Sequence, residues 1–143
     1  MHHLAILEKK RKLLEKILSG EKSIESRWYK LKKTPYGIIK AGDTVYFKDS
    51  GEPVTVKATV EKALFFSDMT REKYKEIIDK YGDAICLKNR NIEDYLKQKY
   101  NYITLIFLKD VQKIQSFDID KTGYGLMAAW ITVEDTEQIK KKH

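Results

Sequence analysis

The chain has few of the residues that staple, break or anchor a fold. Its single cysteine, Cys86, excludes an internal disulfide framework and fits a reducing compartment, so a cytoplasmic protein is expected. Two prolines and seven glycines in 143 residues exclude a Pro-rich linker and a low-complexity tract. The longest apolar runs, such as ITLIFL at 103–108, are far shorter than the roughly 20 residues a bilayer span needs. No leader of charged, then apolar, then small residues opens the chain, so neither secretion nor membrane insertion is expected. Phosphate-cradling glycine motifs are missing, as is any His, Cys or carboxylate cluster at metal-ligand spacing. No cofactor and no metal are therefore expected.

A hydrophobic fraction of 42% is enough for a packed core, which argues against disorder. The length suits one domain over 1–143, with a core over about 2–134, a charged and frayed tail at 135–143, and a monomeric state. The net charge is +7, and its placement matters more than its size. Residues 1–40 hold eleven Lys or Arg against four Asp or Glu, whereas residues 41–143 hold seventeen of each. The whole excess lies in one segment. Such a one-sided positive field favours anionic partners, nucleic acid above all.

Periodicity places the elements. HLAIL (3–7) reads as a first strand, and Leu13, Leu14, Ile17 and Leu18 fall at helical spacing within one helix over 8–20 that ends at Gly20. Alternation resumes from Lys22, and 43–49 and 53–66 are β-rich runs separated by a loop of turn formers. Residues 70–82 read as a helix capped by Thr70, and Asn91 caps a short second helix. A long strand over 101–117, with a bulge or bend at Asp110, precedes the GYG turn at 123–125 and a final strand over 126–133. Strands and helices do not alternate regularly, which argues against a doubly wound sheet. The expected fold class is α+β: a small mixed β-barrel of about six strands, with a helix after the first and a helical insertion before the fifth.

The stretch SGEKSIESRWYKLKK (19–33) concentrates the chemistry. On a strand, Ser23, Glu25, Arg27 and Tyr29 share one face, while Ile24, Ser26 and Trp28 share the other. Glu25 and Arg27 then lie about 7 Å apart along the strand. Lys22, at the helix-to-strand junction, can swing over the same face. A carboxylate between two cations stays ionised and orients them, giving fixed donors beside one acceptor. Such a set suits recognition of a phosphate or a base edge; a plain surface ion pair would do neither and contributes little energy.

GEKSIESR (20–27) resembles the G-x-K-x-x-E-x-R signature of ASCH domains, a branch of the PUA-like superfamily, through Gly20, Lys22, Glu25 and Arg27. The order of elements to about residue 133 is also similar. The resemblance implies a β-barrel with a cleft beside the first helix, lined by Lys22, Glu25 and Arg27, that binds RNA or a nucleotide-like small molecule. Some relatives are hydrolases. An amidohydrolase branch acting on acetylated cytidine carries a catalytic threonine three positions after the lysine; here Glu25 stands at that place. Were the chain an enzyme, Lys22 and Glu25 would be its acid and base.

Aromatics near the motif are candidate stacking platforms. Trp28, Tyr29, Tyr102, Tyr124 and Trp130 are considered, with Trp130 favoured for its small neighbours and Tyr124 for its turn. His3 is expected to be a satisfied wall residue, and Cys86, inside apolar AICL, to be buried and inert.

Overall fold

A computed structural model describes residues 1–87, 91–125 and 127–142. Six strands form one sheet: β1 (His2–Leu7), β2 (Ile24–Tyr29), β3 (Thr44–Asp49), β4 (Val54–Phe66), β5 (Tyr102–Phe117) and β6 (Trp130–Val133). Their spatial order is β2-β5-β4-β3-β1-β6, with β1 and β3 parallel and the other neighbours antiparallel. The sheet is mixed and curls into a half-barrel. Helix α1 (Leu13–Ser19) follows β1, while α2 (Arg71–Tyr81) and α3 (Ile92–Gln98) lie between β4 and β5.

Buried residues fall in three clusters; the third holds Leu4, Val54, Ile131, Val133 and Ile139, and the other two lie on opposite faces of the sheet. Inside the curl, Val45, Phe47, Val56, Ala58, Val60 and Ile106 pack with Leu13 and Ile17 of α1. Outside it, Ile24, Ile103 and Leu105 pack under α2 through Ile77, together with Ile85 and Leu87. The β4–β5 register shifts three times, and Asp110 takes a positive φ of 50° beside one of these sites, at the bulge expected there. Thr70 and Asn91 accept main-chain N–H bonds at the starts of α2 and α3.

Four expectations are corrected. The helix expected over 8–20 is broken at Lys12, whose φ of 53° separates a 3-10 turn (Lys9–Arg11) from α1. Glu8 to Lys12 offer no apolar side chain, so nothing ties that turn to the phase set by Leu13 and Ile17. The last strand starts at Trp130 rather than 126, because Met127 and Ala129 are exposed outside the sheet. The tail is not frayed up to Lys140: Thr136–Gln138 form a 3-10 turn with an Asp135 capping box, Ile139 is buried, and Lys140 bridges Ile119. Cys86 is half-buried rather than buried, at a positive φ of 61°.

Candidate functional site

The two end strands of the sheet, β2 and β6, are not paired to each other among the described residues, so the half-barrel has a seam. One side chain bridges it. Arg27 on β2 donates from Nη1 to the Ala129 carbonyl and from Nη2 to the Ile6 carbonyl, each at 3.3 Å. Its guanidinium also lies over the Trp130 ring, 5.1 Å from the centroid. Arg27 thus replaces a missing ladder with charge-assisted bonds to main-chain acceptors.

Beside this clasp opens a cleft of about 760 Å³. Lys22, Glu25, Ser26, Arg27, Trp28 and Tyr29 line one side, and Asp94, Tyr95, Gln98 and Tyr100 from α3 and the turn after it line another. Glu8, Arg11, Lys121 and Met127 also border it. Because β2 is an edge strand, both of its faces reach the cleft. Ser26 and Trp28 therefore join it although they alternate with Glu25 and Arg27. The charged lining comprises Arg11, Lys22, Arg27 and Lys121 against Glu8, Glu25 and Asp94, a mixed rather than a basic surface.

Lys22 and Glu25 are buried, at 3% and 4% exposure. Lys22 Nζ donates to the Ile85 carbonyl at 2.9 Å and stands 3.8 Å from Glu25 Oε1. The same oxygen accepts the Ser26 N–H at 2.8 Å. Glu25 Oε2 lies 3.8 Å from Arg27 Nη2, and neither it nor Arg27 Nε has a hydrogen-bond partner. Burial pushes the Lys22 ammonium below the ordinary lysine value, with the Glu25 charge pulling the other way. Burial likewise raises the Tyr29 phenol.

The buried lysine makes stability depend on pH. Between the lowered folded pKa of Lys22 and its ordinary 10.5, the unfolded chain holds a proton that the folded chain lacks. The Lys22 contribution to stability therefore rises with pH across that window. Lys22→Met removes that contribution while leaving the one from Lys48, whose pKa is also lowered by burial. Denaturant unfolding of both proteins at stepped alkaline pH checks this; parallel curves would contradict it.

Part of the lining is aromatic and joins β2 to α3. Trp28 donates its indole N–H to Ser26 Oγ at 2.9 Å and packs 4.8 Å from Tyr95, 5.8 Å from Tyr74 and 6.4 Å from Tyr100 between ring centroids. The Tyr74 hydroxyl in turn holds the Tyr100 carbonyl. Other candidate residues lie elsewhere. Ser23 is exposed ahead of β2, its main chain bonded to Ala84 and Leu108. Tyr124 is exposed in the turn after Lys121 and is not among the lining residues. Trp130 is buried, and the room beside its ring is filled by Arg27 and by His3, whose ring centroid is 5.6 Å away. His3, fully buried, bonds Asp43 at 2.8 Å and Thr132 at 3.0 Å, and burial lowers its pKa against the pull of Asp43.

The ASCH protein from Zymomonas mobilis superposes with a TM-score of 0.69 over 96% of this chain and 90% of that one, at 15% sequence identity. The fold is the ASCH fold. A mutant of the same Zymomonas mobilis protein gives the same TM-score at 16% identity, covering 96% and 93% of the two chains. A solved hypothetical protein matches 80% of this chain and all of its own at a TM-score of 0.52 and 23% identity. No family model matches the sequence, and no curated protein matches it. In this ASCH fold the Lys22, Glu25 and Arg27 side chains meet at one cleft, and α3 faces them. Reading by motif missed Tyr95 and Tyr100, which lie about seventy residues away in sequence and signal themselves only as aromatics beside a capped helix.

Proposed function

We infer that this chain is an ASCH-like domain that binds RNA or a nucleotide, with a base lodged in the cleft beside Glu25. One observation carries the reading: an unsatisfied buried carboxylate oxygen, Glu25 Oε2, borders a cleft walled by Trp28, Tyr95 and Tyr100. A buried acceptor without a donor is costly, and a base edge that presents N–H groups would satisfy it. The aromatic wall supplies stacking, which reads any base by its face. Arg11 and Lys121 add two cations to the cleft's border.

Calorimetric titration with nucleoside monophosphates and a single-stranded RNA hexamer, at low and physiological salt, tests this. Tyr95→Ala is expected to weaken binding by about 5- to 150-fold, the loss of one stacking contact of about 1–3 kcal/mol. Glu25→Gln is expected to weaken it by about ten-fold or more, since a bond to a charged acceptor is lost. No affinity at low salt, or affinity untouched by both changes, would sink the reading.

A second reading rests on the lowered pKa of Lys22 beside Glu25: water-mediated hydrolysis of a modified nucleoside or of RNA, with these two as base and acid. Ser26 Oγ accepts the Trp28 indole N–H and Ser23 lies outside the cleft, so the reading is built on Lys22 and Glu25. Turnover of acetylated cytidine or of RNA that disappears in Lys22→Met would favour hydrolysis over simple binding.

A further inference from the structure

The cleft does not end at Tyr29. Immediately after β2 the chain runs through Lys30, Leu31, Lys32 and Lys33, all exposed, before Ile39 returns to the inner core. This loop covers one end of the half-barrel. Tyr36 packs edge-on against Phe65 and Tyr102, with ring centroids 5.3 and 5.1 Å apart, and Tyr102 pairs with Tyr29 across the β2–β5 ladder. The lysines stand on this aromatic cap. Lys33 Nζ lies 4.6 Å from the centre of the Tyr29 ring, and Lys32 Nζ 6.0 Å from that of Tyr36. Tyr29 itself lines the cleft, so the ammonium row begins at the cleft's edge.

Three other lysines of the basic segment have acidic partners: Lys9 bonds Glu52, Lys22 stands by Glu25, and Lys40 lies 3.9 Å from Asp43. Lys10, Lys12 and Lys16 have no ion pair among the described residues, but they lie ahead of the motif and over no ring. Among the described residues no carboxylate lies within ion-pair distance of Lys30, Lys32 or Lys33. Three uncompensated cations in four residues, two of them over rings, form a directed positive strip rather than a neutralised surface. The cleft interior is nearly balanced in charge and suits a base; the strip suits the phosphates on either side of that base.

Resting on the base-binding reading, we propose that Lys30, Lys32 and Lys33 form a phosphate track leading out of the cleft past Tyr29. The ligand is then single-stranded RNA, one base lodged within and its neighbouring phosphates on the loop, rather than a free nucleotide. Sequence-independent phosphate contacts of this kind are read out by salt.

The test compares a mixed-sequence RNA hexamer with the nucleoside monophosphates on the wild type and on a variant carrying Lys30→Gln, Lys32→Gln and Lys33→Gln. These positions are exposed, so an unchanged melting curve is expected. The hexamer should bind the wild type about ten-fold or more tighter than any monophosphate at low salt. The triple change should erase that advantage, lower the slope of log affinity against log salt by about two, and leave monophosphate binding unchanged. Hexamer affinity and slope unchanged in the variant would overturn the track alone, with the base site standing. Equal weakening of hexamer and monophosphate would overturn it too, since the lysines would then serve the base site. Failure of both ligands to bind the wild type would overturn the base site and the track together.

Discussion

Glu25→Ala is expected to destabilise the protein by about 3–5 kcal/mol, the cost of leaving a buried charge without its counter-ion. Lys22 has no other carboxylate in ion-pair contact among the described residues; its remaining partner is the Ile85 carbonyl. Removing Glu25 also frees the Ser26 N–H and leaves Arg27 without its nearby anion. The ammonium has one escape, which is to release its proton, and burial has already moved it in that direction. The loss should therefore be larger near neutral pH than at alkaline pH, where a neutral amine sits in the same place at lower cost. Glu25→Gln should cost less, because an amide oxygen still accepts the Ser26 N–H. Urea unfolding of the three proteins at neutral and alkaline pH measures all of this. A loss below about 0.5 kcal/mol, typical of a surface change, would show that Lys22 and Glu25 are not coupled.

How much of this is legible in the sequence varies with the kind of signal. Apolar and β-rich runs bounded by charge or turn formers place β1, β3, β4 and β5 to within a residue at each end. Asp110 is readable as a bulge because a carboxylate interrupts an otherwise strand-like run. The motif brings Lys22, Glu25 and Arg27 together because spacing on one strand fixes distance. Their environment is hidden. Lysines are mostly exposed, so the burial of Lys22 runs against its type, and its partner is a main-chain carbonyl with no sequence signature. The same holds for Arg27, which meets the carbonyls of Ile6 and Ala129. Ile139 is a single apolar residue in a charged run; one residue has no period, so its docking cannot be read. Tyr95 and Tyr100 face the motif only because the chain folds α3 back against β2.

Trp130→Ala is expected to cost about 3–5 kcal/mol, as for other large aromatics removed from a core. Part of that cost belongs to the seam. The Trp130 ring packs on the inner core, bonds through its indole N–H toward His3 and Thr132, and carries the Arg27 guanidinium on its face. Arg27→Ala removes that cation together with two bonds to main-chain carbonyls, of which Ala129's lies at an exposed residue where water can replace the donor. Its own cost is accordingly smaller, about 1.5–3 kcal/mol. If ring and guanidinium act as one clasp between β2 and β6, the double variant should lose less than the two single losses together, by about 0.5–3 kcal/mol. Arg27→Lys should not restore the loss, since one ammonium cannot meet both carbonyls in the geometry of a planar fork. Strict additivity within about 0.5 kcal/mol would mean that the two merely occupy the same neighbourhood. Coupling, by contrast, would make the width of the cleft depend on this contact, because the residues Arg27 holds, Ile6 and Ala129, are themselves part of the cleft's lining.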